Sequence, residues 1–241
     1  MAFQMYTSGD AAGPGALTGE ANKLILLLRA ILVNGYGAIP AAGWSEPIAA
    51  AGNCAAFRPG AGTRFGLFVN DNGPNATSTF KEAWVTGWES VSGIAAPVGS
   101  GTGQFPTAAQ LLTTGHGVVR KSASADAVGR DWVAFADPYT LYLFILPGDP
   151  VGTAGYTLGY TMLFFGDIYS MKSTDDDYRG MIVCRTTENT TANNFEGFGT
   201  QVASPTTAAP GGFYIARTYG GVGGSLAASH HVYYGKNTGP V

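Results

Sequence analysis

Apolar positions recur along this chain in two rhythms. Between Gly19 and Asn34 (GEANKLILLLRAILVN), Leu24, Ile25, Leu27, Leu28, Ile31 and Leu32 occupy nearly every face of a helical projection, leaving a narrow polar stripe through Asn22 and Arg29. This pattern predicts one helix over about 19–34. Thr18 stands at its N-cap, Glu20 lies in the first turn where the helix dipole favours an anion, and Gly35 and Gly37 stop it. A helix apolar on most faces has to be covered on most faces, so the expectation is packing across a sheet, or between a sheet and another subunit. The run from Leu24 to Val33 is interrupted by Arg29 and is far shorter than the ~20 residues needed to span a bilayer, so no membrane insertion is expected.

Beyond Trp44 the rhythm changes to short apolar runs between turn signals. Arg64–Asn70 (RFGLFVN) ends at Asp71-Asn72-Gly73-Pro74, and Glu82–Val91 (EAWVTGWESV) follows; together they predict a hairpin with a long polar loop, DNGPNATST. Trp84 and Trp88, four apart, fall on one face of the second strand. Gly93–Thr107 reads as a Gly/Pro/Ser/Thr loop and Ala108–Thr113 as a helical turn or two. Gly117–Lys121, Trp132–Ala136 and Thr140–Leu146 read as strands, with Asp137-Pro138 turning between the last two. Thr161–Phe165 and Gly180–Thr186 flank a polar loop containing Asp175-Asp176-Asp177. Thr187–Pro210 is a long polar stretch, and Gly212–Thr218 and His230–Tyr234 are the last strands. About nine or ten short strands between turns define a mainly β chain, an antiparallel β-sandwich or irregular barrel with one N-terminal α-helix packed on it. Residues 1–18, small, Gly- and Pro-rich and without period, read as an arm, and 19–241 as a single β-rich domain.

Composition sharpens this picture. Charged residues are 12% and hydrophobic residues 45%, with 36 glycines, so the surface is weakly polar, the kind that meets other protein surfaces. A net charge of −3 with scattered Lys and Arg gives no footprint for nucleic acid. Cys54 and Cys184 could pair if neighbouring strands bring them together, but nothing requires it, and two buried thiols in a reducing cytosol are the default expectation. The first twenty residues hold no Lys or Arg, so the positive region of a secretion signal is missing and synthesis in the cytoplasm is expected.

Candidate chemistry is sparse. His230 and His231 are adjacent, and in a strand they point to opposite faces and do not share an ion; His116, in Thr114-Gly115-His116-Gly117, reads as a turn residue. The aspartates at 175–177 lack the alternation of a calcium loop. No serine has G-x-S-x-G, and the glycine clusters fit neither G-x-G-x-x-G nor a P-loop. No enzyme, cofactor or metal is expected. Tyr156, Tyr160, Tyr214, Tyr219, Tyr233 and Tyr234, set among or beside glycines, suit sheet packing, protein interfaces and sugar stacking alike.

Several stretches together resemble a group of uncharacterised virion proteins of tailed phages and prophages. They are Leu32–Gly37 (LVNGYG), Ala42–Trp44 (AGW), Ala55–Asp71 (AAFRPGAGTRFGLFVND), Gly103–Ala109 (GQFPTAA), Thr140–Asp149 (TLYLFILPGD) and Phe164–Ser170 (FFGDIYS), in order over about 15–220. None is a catalytic signature. The resemblance implies a particle component of the tail, baseplate or collar, with capsid decoration as an alternative. Its partners would be copies of itself and other virion proteins. Phe3, Tyr6, the helix face around Arg29 and the loop 187–210 are the candidate interface. Two rivals remain: a glycan-binding host-recognition module, with Trp84, Trp88 and the DNGPNATST loop as candidate contacts, and a glycoside hydrolase using two carboxylates.

Overall fold

The computed structural model describes residues 3–72, 81–107, 116–122, 127–146, 161–169, 176–187, 195–196 and 213–217. Two antiparallel sheets face each other across one apolar core to which the helix contributes, consistent with a β-sandwich.

The first sheet is built from β1 (Gln4–Thr7), β7 (Trp132–Ala136), β8 (Thr140–Ile145), β9 (Thr161–Asp167) and β10 (Gly180–Thr187) in that spatial order. The far edge of β10 carries two short strands, β11 (Phe195–Glu196) and β12 (Phe213–Ile215). The second sheet runs β2 (Cys54–Phe57), β3 (Gly66–Asn70), β4 (Lys81–Gly93), with β5 (Ser100–Phe105) and β6 (Gly117–Ser122) sharing the far edge of the long β4.

The expected hairpins form. β3 pairs with β4, and β7 with β8 around a turn in which the Asp137 carboxylate accepts hydrogen bonds from the backbone N–H groups of Tyr139 and Thr140 at 2.8 Å each. In the second sheet Ala55, Phe57, Leu67, Val69, Ala83, Val85 and Val119 point inward. They meet Ala134, Leu141, Leu143, Leu163, Phe165 and Ile182 of the first. Charged contacts tie the sheets at their ends. The Asp167 carboxylate accepts from Thr63 N–H (2.9 Å) and Arg179 Nε (3.0 Å), and Arg217 pairs with Glu89 while lying over the Tyr178 ring.

The helix departs from expectation at its start. The α-helix α1 spans Lys23–Arg29 and continues as a π-helical segment over Ala30–Asn34. Thr18 does not cap it; its hydroxyl bonds the Glu20 carboxylate, and Leu17 makes an isolated bridge with Arg130. Asn22, in the left-handed region at φ 67°, precedes the helix without a side-chain cap. The cap comes from elsewhere in the chain: Asp71 Oδ2, just past β3, accepts the N–H groups of Leu24 (2.7 Å) and Ile25 (3.3 Å). Gly35 ends the helix at φ 71°, where a Cβ would sit 2.7 Å from the Ile39 carbonyl oxygen. Leu24, Ile25, Leu27, Leu28, Ile31 and Leu32 are all buried, as their all-round apolarity requires, and Arg29 pairs with Glu46 at 2.8 Å.

Two further segments differ from the sequence reading. Residues 4–7, within the stretch read as an arm, form β1 on the chain's own first sheet, and Tyr6 is fully buried with its hydroxyl on the Pro40 carbonyl. Phe3 and Met5 on one side and Tyr6 on the other leave no apolar–polar alternation, and four residues are too few to reveal a strand. Residues 100–105, inside the expected loop 93–107, form β5. Its glycines and exposed serine and threonine carry no period, and its place is set by backbone pairing to the second half of β4. The segments 108–113 and 230–234 lie outside the described residues, as does most of 187–210.

Candidate interaction surface

Strands of the first sheet are apolar on both sides. Trp132, Ala134 and Ala136 of β7 face the core while Val133 and Phe135 face out; Leu141, Leu143 and Ile145 of β8 face in while Tyr142 and Phe144 face out. Met162 and Phe164 of β9, with Met181 and Val183 of β10, continue the outward set. A sheet with one solvated face normally alternates apolar and polar side chains. Here Val133, Phe135, Tyr142, Phe144, Met162, Phe164, Met181 and Val183 make the outward positions mostly apolar.

The register lines these residues into a row across five strands: Met5, Phe135, Tyr142, Phe164 and Val183 are successive cross-strand partners. Tyr142 packs on Phe164 with ring centroids 4.7 Å apart, and Phe3 meets Tyr142 edge-on at 5.8 Å. Exposure climbs along the row. Phe164 is 2% exposed, Phe135 37% and Met5 52%, with Phe3 at 49% beside them. The open end coincides with β1, the edge strand of the sheet, which among the described residues has no strand on its outer side. An uncharged, largely aromatic row opening at an unpaired strand edge offers another protein both apolar area and backbone hydrogen bonds.

Burial pushes the Tyr142 hydroxyl above its usual range, helped by Asp137, so it stays a neutral donor and acceptor on this face. Tyr6, on the opposite side of β1, is pushed up to about 12 by burial.

Of the residues singled out from sequence, Phe3 lies on this face, Tyr6 is in the core beneath it, and Arg29 is on the helix in its pair with Glu46. The structure does not bring the three together. The useful signal was elsewhere, in the runs WVAFA, TLYLFIL and TMLFF, which are apolar at both parities and so mark strands covered on two sides.

Trp84 and Trp88 do share one face of β4, and both are buried, at 7% exposure. Trp84 stacks on the His116 imidazole with centroids 3.6 Å apart, and Trp88 Nε1 donates to the Val98 carbonyl. Burial lowers the His116 pKa to about 4, so the ring is neutral at physiological pH. Cys54 and Cys184 are free and buried, with both thiols pushed up by desolvation. An open groove of about 620 Å³ is lined by Asn53, Cys54, Asn70, Asn72 and Ile94, and its one titratable lining group is that inert thiol. Asp176 holds a turn through Tyr178 N–H; Asp175, His230, His231 and most of the glycine-flanked tyrosines lie outside the described residues, while Tyr214 is buried. Among the described residues no three His, Cys, Asp or Glu side chains are grouped to hold a metal, and no helix is long and apolar enough to cross a membrane. No family model, curated protein or solved structure matches the chain.

Proposed function

We propose that this chain is a structural component of a tailed phage particle, acting by protein–protein binding through the outward face of its first sheet. The observation that carries the binding role is the uncharged row from Val183 to Met5, which opens toward solvent at an edge strand. Exposed apolar area of this kind is stabilised by a partner rather than by water. The stretches resembling tailed-phage virion proteins support assignment to a particle of that type. They include β8 and the end of β9, which supply Tyr142, Phe144 and Phe164 to this face.

Two measurements test it. Light scattering over a concentration series is expected to give a defined oligomer for the native chain and a monomer for the Met5→Glu, Phe135→Glu double variant. Identical masses for the two would remove this face from the binding role. Mass spectrometry of particles released by bacteria carrying the gene is expected to find the protein at a fixed multiple per particle; its absence from purified particles would reject the virion assignment.

A further inference from the structure

Strand β6 carries two adjacent cations that point to opposite sides of the second sheet. Lys121 points inward, on the same side as the core residue Val119, and is 1% exposed. Its Nζ lies 2.5 Å from Oδ1 of Asp71, which is completely buried. Arg120 and Glu82, on the outward side, are equally enclosed yet sit 4.0 Å apart. The Lys121–Asp71 approach is short for an ion pair, and the Lys121 ammonium holds the Asp71 carboxylate by both charge and hydrogen bonding.

The surroundings are arranged for an amide. Asp71 Oδ2 accepts two backbone N–H groups, from Leu24 and Ile25, the set of donors that a carbonyl oxygen or the oxyanion preceding it would use. One Nζ proton is donated to the Glu20 carbonyl at 2.6 Å, the single bond an amide N–H would keep. Oδ1 faces the Lys121 ammonium while Oδ2 is held by backbone donors, so Oδ1 is the atom a condensation would expel.

We propose that Lys121 and Asp71 condense into an intramolecular isopeptide bond joining β6 to the end of β3. The ion pair contains all the protons the reaction needs. One Nζ proton passes to Oδ1, leaving a neutral amine beside a neutral acid. The amine nitrogen attacks Cγ, forming the C–N bond, while the developing charge on Oδ2 is held by the Leu24 and Ile25 N–H groups. A second Nζ proton follows to Oδ1, the Cγ–Oδ1 bond breaks, and water leaves. An ammonium and a carboxylate become one amide and one water, with no oxidant or other reactant. Desolvation, the largest influence on Asp71, raises its pKa and so favours the protonated acid from which this begins; the Lys121 charge opposes it. Fixing both groups in one enclosed place supplies an effective concentration on the order of 10⁵ M or more, which favours condensation over hydrolysis.

The test is the intact mass of the purified, folded chain under denaturing conditions, followed by peptide mapping. The native chain is expected to be lighter than its sequence by one water, to resist trypsin after Lys121, and to yield a branched peptide containing Asp71 and Lys121. Lys121→Met and Asp71→Ala, measured the same way, are expected to show their full sequence masses; the reading is of mass and does not depend on how well either variant folds. A full sequence mass for the native chain, in a sample whose circular dichroism shows its strands, would overturn the proposal. So would a lost water that fragmentation places at any other residue.

Discussion

The two sheets present the same kind of inward face and differ in how far their outward faces are covered. On the second sheet the outward positions combine apolar Cys54, Ala56, Phe68 and Trp88 with polar or polar-tipped Glu82, Trp84, Thr86 and Arg120, each no more than 7% exposed. On the first they are mostly phenylalanine, tyrosine, methionine and valine, and exposure rises from 2% at Phe164 to 52% at Met5. A covered polar face has to meet its hydrogen bonds and charges within the chain, so it is closed to partners and intolerant of change. An apolar face makes no such demand. It can stay partly open in the free chain and be covered later by another protein, at little cost to the fold.

The sharpest way to break this contrast is to unbalance the closed face. Arg120→Met leaves Glu82 charged and enclosed, and is expected to cost about 3–5 kcal/mol in urea unfolding. A loss under 1 kcal/mol would show that the outward side of the second sheet is wetter than its burial implies.

The next effect is in pH. His116 has a folded pKa of about 4 against an ordinary 6.5, so the unfolded chain takes up a proton in this window and the folded chain does not. Stability is therefore fully present above pH 6.5 and declines as pH falls toward 4, by about 3 kcal/mol from this group. His116→Phe keeps a ring against Trp84 and should flatten that slope; an unchanged slope would mean that other groups carry it.

Backbone strain gives a smaller effect. Gly35→Ala places a methyl group against the Ile39 carbonyl at a positive φ, and is expected to lower stability by about 1–3 kcal/mol. The smallest change is expected on the open face: Met5→Glu should alter monomer stability by about 0.5 kcal/mol or less while weakening association, since the side chain is half exposed already. A large loss of monomer stability there would mean that the face belongs to the core rather than to an interface.

What the sequence revealed follows from where each element gets its stability. The β7–β8 hairpin was legible because its turn is local: Asp137 holds Tyr139 and Thr140, two and three residues away. The helix body was legible from its apolar leucines and isoleucines, but its beginning was not. Thr18 looked like the cap, whereas the group that accepts the first N–H bonds is Asp71, 47 residues from Leu24. β5 was hidden because Ser100, Gly101, Thr102 and Gly103 bring only backbone to the sheet. The outward row of the first sheet was visible only as strands apolar at both parities; its alignment from Met5 to Val183 depends on the register of four separate pairings. The Lys121–Asp71 approach depends likewise on how β3 and β6 flank β4, which residue spacing does not disclose.

The distant cap also bears on how the chain reaches this state. A helix of seven α-helical residues followed by a π-helical turn is too short to persist alone in water. Its first N–H groups wait for Asp71, so the leucine-rich segment, made before β3, gains its ordering contact only after β3 has emerged and turned back. Until then it travels as an unprotected apolar stretch, and the rate at which the second sheet closes sets how long the nascent chain stays vulnerable to aggregation.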